Sequence, residues 1–213
     1  MAAKKNKPNN FVVDGRLMRA AQACTASKDP REMIQYVCIC KDGFVSATNG
    51  AVAFRAAMKD LEMFSGVDRQ HIIDFHAKIP MWAEQIEFEW TDDRTGIARV
   101  TSMDEKKKDR LVGFKSIEET EENRFPNIAR VIDSTPPKNT KRIGISAGDM
   151  TFAGKVFGSA ANLMMELHGS NGNMMFTPLG RWEMYDAKLV ISSQSMLDIE
   201  DDDPVSIFNE DNG

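Results

Sequence analysis

The 213 residues, 42% hydrophobic and 28% charged, have the composition of a water-soluble globular protein and the length for one large or two modest domains. No apolar run is long enough to cross a bilayer, and the first ten residues lack the apolar core of a signal peptide. A cytoplasmic location is therefore expected. The net charge of −5 excludes a generally basic nucleic-acid coat but is compatible with one basic face.

The N-terminal part of the chain predicts a basic arm followed by a helix. We interpret residues 1–10 as a disordered basic arm, with a DNA-touching tail as the alternative. Residues 13–24 have apolar side chains at helical spacing, and Arg16 and Arg19 lie off that stripe. An amphipathic helix with a basic exposed face is therefore predicted.

An antiparallel meander is predicted next. Strands are expected over residues 33–40, 44–48 and 51–58. The dipeptide Asn49-Gly50 between the last two is the strongest hairpin-turn signal in the chain, because glycine adopts positive φ without a steric penalty. The first unit is thus a helix followed by three antiparallel strands.

The same pattern is predicted a second time. Apolar residues at helical spacing favour a helix over residues 67–79, with Arg69 and Lys78 at polar positions and Pro80 as its stop. Residues 85–90 alternate between apolar and polar side chains, as in a strand with one buried face. The strands of this unit are predicted at residues 85–90, 97–102 and 110–117.

A connector over residues 121–140 separates this region from the rest. It contains an apolar and basic segment, residues 124–132, and ends in a stiff link that includes two adjacent prolines. Pro126 disfavours helical geometry at Phe125, so the side chains that follow are expected to be held at a fixed angle to both halves. We expect this segment to form one wall of a binding groove.

A third, shorter unit is predicted in residues 141–195. A helix is expected over about residues 148–158, with Lys155 at a polar position. Strands are predicted at residues 142–146, 163–167, 173–177, 181–185 and 188–192. Residues 11–120 would therefore hold two helix-plus-meander units, whereas residues 141–195 would hold only half a domain of that kind.

The C-terminal residues 196–213 form an acidic tail. We interpret the tail as disordered and solubilising. The alternative is a short linear peptide, Pro-Val-Ser-Ile-Phe at residues 204–208, with two apolar anchors. Such a peptide can dock in a groove on a partner or on this protein itself.

The sequence shows no constellation of catalytic or metal-binding residues. It has no glycine-rich phosphate loop and no serine in a nucleophile-elbow context. His71 and His76 are five residues apart, which is not the i, i+4 spacing of metal ligands on a helix, and His168 lies in or beside a turn. The three cysteines are interpreted as buried reduced thiols. No enzymatic activity, cofactor or metal is therefore predicted.

Several short motifs, in order along the chain, are similar to those of one family. Ser-Ala-Thr-Asn-Gly at residues 46–50 resembles the Ala-Thr-Asp-Gly-His-Arg turn of the bacterial sliding clamp, the β subunit of DNA polymerase III. Phe-Pro-Asn-Ile-Ala-Arg-Val at residues 125–131 resembles the family's Phe-Pro-Asp-Tyr-Arg-Arg-Val crossover between its second and third domains. The chain from Ile143 to the strand at residues 189–192 is similar to the second half of the clamp's last domain. The resemblance covers about residues 11–195.

The resemblance implies an α+β fold of DNA-clamp-like repeats, each of one helix packed on an antiparallel meander, with the sheets outside and the helices on a concave inner face. It implies a non-enzymatic processivity factor, a homo-oligomeric ring that encircles double-stranded DNA without sequence preference. Such a ring tethers a DNA polymerase and other replication proteins through short peptides. The small size and the divergence favour a phage or another mobile element as the source.

The resemblance also implies two sets of site residues. By position, the family's peptide-binding groove carries over to Thr48, Gly50, Pro126, Arg130, Val131 and Val190. DNA contact is expected from basic residues on the helices, namely Arg16, Arg19, Arg69, Lys78 and Lys155. From charge alone, solvated polar faces are the simpler explanation of these basic residues.

Departures from the family leave a second function open. The clamp's His-Arg after the turn is Ala51-Val52 here, and its Met-Pro-Met end is Ser-Ser-Gln at residues 192–194, so the peptide preference can differ. Chains of three units each would complete the family's ring only as a tetramer or by unusual pairing. The alternative is a clamp-derived protein that never closes a ring and instead binds replication proteins or modulates a host clamp.

Overall fold

The structure is a computed structural model that describes residues 8–57, 67–104, 106–133, 147–159, 161–168, 173–182 and 185–192. The strands in this part of the chain are β1 (Phe11–Asp14), β2 (Val37–Ile39), β3 (Phe44–Thr48), β4 (Val52–Ala57), β5 (His71–Phe75), β6 (Gln85–Trp90), β7 (Thr95–Thr101), β8 (Arg110–Ile117), β9 (Leu163–His168), β10 (Asn173–Pro178) and β11 (Lys188–Ile191). The helices are α1 (Gly15–Ala23), α2 (Ile128–Asp133) and α3 (Ala147–Phe157), with 3-10 turns at Glu32–Gln35 and Gly180–Trp182. None of these helices is long and apolar enough to span a membrane.

All eleven strands belong to one antiparallel sheet. Its order is β1-β6-β7-β8-β5-β2-β3-β4-β11-β10-β9. The third unit joins the first through β11, whose Leu189 pairs with Phe54 of β4. The predicted antiparallel, sheet-rich architecture is confirmed, and strands β3, β6 and β8 have the predicted bounds.

Helix α1 begins where Asp14 caps it. The Asp14 Oδ1 atom accepts hydrogen bonds from the backbone N–H groups of Arg16 (2.6 Å) and Leu17 (3.3 Å). Gly15 packs closely against the segment that leads into β6. A Cβ on Gly15 would lie 2.7 Å from the carbonyl group of Ala83. The predicted helix over residues 13–24 is thus shorter by two residues at its start, which belong to β1.

The sheet buries apolar side chains on both of its faces in the region of β4, β10 and β11. Alternate residues pack with α1 and α3 in the main core: Val52, Phe54, Met174, Phe176, Leu189 and Ile191. The residues between them point to the opposite face and pack against α2: Ala53, Met175 and Val190, with Ile128 and Ile132 of the helix. Helices α1 and α3 therefore share one face of the sheet, and α2 covers the other.

The predicted helix over residues 67–79 is wrong, because this segment contains strand β5. Ile72 and Ile73 are adjacent and both buried, Ile72 beside Met33 and Cys38 on one face and Ile73 in the main core on the other. A strand buried on both faces has a continuous apolar run that also matches part of a helical pattern. The second unit therefore has no helix in its described residues, and Arg69 and Lys78 lie beside a strand.

Two further predictions about local structure are wrong in part. Residues 33–40 begin as a 3-10 turn, and only residues 37–39 form a strand. Residues 181–185 are not a strand, because a 3-10 turn places Trp182 in the core, where its Nε1 donates to the Phe157 carbonyl (2.9 Å). The predicted arm, the 142–146 strand, the proline link and the acidic tail lie wholly or mostly outside the described residues.

His71 is buried in an aromatic cluster on the main-core face. Its ring centroid is 5.1 Å from that of Phe11 and 4.9 Å from that of Trp90. Its Nε2 atom makes no hydrogen bond, although Asp68 Oδ1 lies 3.3 Å away. Burial lowers the pKa of His71 below 6.5, and the nearby Asp68 only partly opposes this effect.

The fold is therefore expected to lose stability when the pH falls below about 6.5. Under those conditions the unfolded chain protonates His71 more readily than the folded chain does, so the unfolded state binds more protons. We expect the loss of unfolding free energy between pH 7.5 and 5.5, measured with urea, to be smaller in His71→Phe than in the wild type. Equal losses in the two proteins would contradict this assignment.

Candidate peptide-binding groove

A groove of about 830 Å³ lies on the α2 side of the sheet. Five of the six residues predicted for the peptide site line it: Thr48, Gly50, Pro126, Val131 and Val190. The sixth, Arg130, is exposed on α2 but does not line the groove. Residues from three distant segments thus meet at one cavity.

The turn between β3 and β4 forms one wall and is fixed by its own hydrogen bonds. The Thr48 hydroxyl donates to the Val52 carbonyl (2.6 Å) and accepts from the Gly50 N–H (3.0 Å). The Asn49 Oδ1 atom accepts from the N–H groups of Ala51 and Val52, both at 2.9 Å. Because these polar groups are satisfied inside the turn, the wall does not need a ligand to hold its shape.

Gly50 is favoured by its backbone conformation, and it lies against the side chain of Arg31. Its φ of +91° lies in the region that favours glycine, and a Cβ there would be 2.7 Å from an Arg31 guanidinium nitrogen. Asp29 holds that guanidinium by two hydrogen bonds, at 2.9 and 3.0 Å. These bonds lower the pKa of Asp29 to about 2, so the pair stays charged across the physiological range.

Helix α2 forms the opposite wall. Asn127 caps it, because its Oδ1 accepts from the Arg130 N–H (3.0 Å). Ile128 and Ile132, one turn apart, are buried against the sheet. Val131 is 41% exposed and lines the groove together with the apolar residues Pro126, Ile128 and Val190.

A third wall was not predicted from the sequence. Residues 30–34 line the groove, and the apolar Met33 and Ile34 of the 3-10 turn are almost fully buried there. Asn123 of the connector donates to Glu32 (3.3 Å) and so links this wall to the one that contains α2. No pattern in residues 30–34 distinguishes a groove wall from a turn.

The rim of the groove carries both signs of charge, from Arg31, Glu32, Glu122 and Arg124. Tyr36 donates to Glu32 (3.1 Å), and burial together with that carboxylate raises the pKa of Tyr36 to about 12. Apolar walls below a polar rim are typical of sites that bind short peptides by side-chain anchors.

Beneath the third wall lie two thiols. The Sγ atoms of Cys38 and Cys40 are 3.6 Å apart. The hydrogen bond with Cys40 and burial raise the pKa of the Cys38 thiol. Burial also raises the pKa of the Cys24 thiol. Cys38 and Cys24 are therefore held as neutral thiols. No group of three or more metal-ligating side chains occurs among the described residues.

The residues predicted to contact DNA fall into two places. Arg16 and Arg19 of α1 line a recess that also contains the end of α3, and Lys155 is exposed on α3. The Arg19 guanidinium donates to the Met81 carbonyl (2.9 Å), and burial lowers its pKa. Arg69 and Lys78, by contrast, flank β5 and lie on no helix.

Comparisons with solved structures identify the fold. The chain is similar to the DNA polymerase sliding clamp of Pseudomonas aeruginosa (TM-score 0.52, 12% identity, covering 89% of this chain and 68% of the clamp chain). It is also similar to the DNA polymerase III β subunits of Borrelia burgdorferi (0.53, 8%, 93% and 66%) and Thermotoga maritima (0.50, 10%, 90% and 67%). No protein-family model matches the sequence, and no curated protein matches it significantly. The chain therefore has the fold of a divergent sliding clamp and spans about two thirds of the length of these clamp chains.

Proposed function

We propose that this chain, which has the fold of the bacterial sliding clamps, is a DNA sliding clamp-like processivity factor. It would encircle duplex DNA and tether a DNA polymerase through a short peptide, a role that requires no catalysis. The observation that carries the proposal is the groove, where Thr48, Gly50, Pro126, Val131 and Val190 meet around a cavity of about 830 Å³. This volume and these apolar walls suit a few anchoring side chains of an extended peptide.

The two proposed surfaces lie on opposite faces of the sheet. The groove is on the face covered by α2, and the basic residues of α1 and α3 are on the other. A polymerase peptide and DNA would therefore be bound at the same time without competing for space, as a tether requires.

The direct test is calorimetric titration of the full chain with a synthetic C-terminal peptide of a bacterial DNA polymerase III catalytic subunit. We expect saturable one-to-one binding. Titration heats no different from dilution would contradict the proposed peptide site.

The helix face predicts how DNA binding responds to salt. Replacing Arg16 and Lys155 by alanine is expected to weaken duplex DNA binding and to reduce the slope of log affinity against log salt by about 2, one unit per lost phosphate contact. The matched control is Arg69→Ala with Lys78→Ala, two equal charge losses away from the helices. Equal effects of the two pairs in fluorescence anisotropy would contradict a DNA surface on α1 and α3.

The ring requires several copies of this chain, because each spans about two thirds of a clamp chain. Strands β1 and β9 end the described sheet, and β9 carries Met164, which is 45% exposed. Such edge strands offer backbone groups to a second copy. We expect an oligomer by light scattering. Monomer alone at micromolar concentration would contradict the ring and leave the alternative, a clamp-derived interaction protein that binds replication proteins or modulates a host clamp.

A further inference from the structure

The acidic tail contains a peptide of the kind that the groove is built to hold. Val205, Ile207 and Phe208 are apolar, within a segment that follows the acidic run Asp201-Asp202-Asp203. Pro204 disfavours helix at Asp203 and so favours an extended entry into the apolar segment. Extended chains with alternate apolar anchors are one common form of short recognition peptide.

The chain enters the tail at the groove itself. Ser192 is the last described residue before the tail, and it lines the groove. Its N–H donates to the Ala51 carbonyl (2.7 Å), which fixes it beside the turn that forms one wall. Residue 193 therefore starts from a known point at the edge of the site.

The length of the intervening chain matches this short distance. About twelve residues, 193–204, separate Ser192 from Val205. A flexible segment of that length has a mean span of roughly 20 Å and can extend to about 40 Å. Because Ser192 itself lines the groove, a linker of this length can return residues 205–208 to it. Linkers of this kind give effective concentrations in the millimolar range.

Shape and charge both favour the match. Among the apolar residues that line the groove, the exposed Val131 and the half-buried Pro126 offer accessible contact surface to Ile207 and Phe208. On the rim, Arg124 has no carboxylate within 4 Å among the described residues, whereas Arg31 is already paired with Asp29. Glu32 and Glu122 oppose the acidic run, so the apolar anchors supply the affinity and Arg124 supplies the favourable charge.

We propose that residues 205–208 dock in the groove of their own chain and compete with external peptides for it. This inference rests on the proposed peptide-binding function of the groove. The tail then acts as a built-in competitor, so that only partners with affinity above a threshold displace it. For an intrinsic dissociation constant near 100 µM and an effective concentration near 1 mM, the tail weakens external peptides about 10-fold.

The test compares three full-length chains by fluorescence anisotropy, using a labelled synthetic peptide of residues 203–210 and a labelled polymerase III C-terminal peptide. We expect both peptides to bind the variant I207A/F208A about 10-fold more tightly than the wild type. The matched control, M196A/L197A, removes two apolar side chains from the same tail outside the anchor segment and should bind like the wild type.

Each other outcome identifies what has failed. Equal affinities of the polymerase peptide for the wild type and I207A/F208A overturn the docked tail, whereas the groove function stands. Binding of the polymerase peptide without any binding of the tail peptide also overturns the docked tail and leaves the groove function standing. If neither peptide binds any of the chains, the proposed groove function itself has failed. Competition that increases with protein concentration, together with larger particles in light scattering, shows docking between copies and overturns docking within one chain.

Discussion

Val131→Glu is expected to weaken binding of a polymerase III C-terminal peptide at least about 30-fold. A carboxylate placed in the apolar part of the groove must be desolvated when the peptide covers it, at a cost of about 2 kcal/mol or more. Val131 is 41% exposed in the free chain, so the substitution should leave the fold intact. The measurement is isothermal titration calorimetry, with circular dichroism to verify folding.

The neighbouring residue provides the control. Arg130→Ala changes an exposed side chain on the same helix that does not line the groove, and it should alter the affinity less than about threefold. The motif similarity assigned both residues to the peptide site, so this pair separates the structural assignment from the one based on sequence. A large loss in Arg130→Ala and none in Val131→Glu would place the peptide elsewhere.

Asp14→Ala is expected to lower the free energy of unfolding by about 2–4 kcal/mol. Asp14 Oδ1 caps α1, a contribution of about 1 kcal/mol, and its Oδ2 accepts a hydrogen bond from the Tyr185 hydroxyl at 2.6 Å. Tyr185 is buried, so removing Asp14 takes away the acceptor of its hydroxyl at a cost of about 1–3 kcal/mol, whereas its side-chain hydrogen bond with Arg16 remains. Burial, followed by Asp14, raises the pKa of Tyr185, as expected for a phenol held in its neutral form.

A double-mutant cycle tests this interpretation. Tyr185→Phe removes the hydroxyl without exposing a new polar group, and adding it to Asp14→Ala should restore part of the lost stability. The measurement is urea denaturation of the four proteins. Additive effects would show that the hydrogen bond between Asp14 and Tyr185 contributes nothing to stability.

Strands with one solvent-exposed face could be predicted from the sequence, whereas strands that are buried on both faces could not. In β6, Ile86, Phe88 and Trp90 are buried and alternate with polar residues, so the pattern indicates both the element and its bounds. In β5 the adjacent Ile72 and Ile73 are both buried, and the same run satisfied a helical spacing. Local pattern does not reveal that a second layer covers the outer face.

The candidate site was predictable to the extent that motifs marked it. The turn at Gly50 and the connector at Pro126 carry recognisable motifs, whereas residues 30–34 line the groove only because the chain folds back against Gly50. Whether Arg130 lines the groove depends on the direction of its side chain on α2. The amino-acid sequence does not specify that direction.

The seam between β4 and β11 has a consequence for the order of folding. It pairs residues 52–55 with residues 188–191, and both Val190 and Ser192 line the groove. Contacts so distant in sequence form late, because a long loop must close before they are made. On the ribosome, the first two units emerge before the last strand exists, so a nascent chain has no groove to offer. The groove would then form only after β11 has been synthesised.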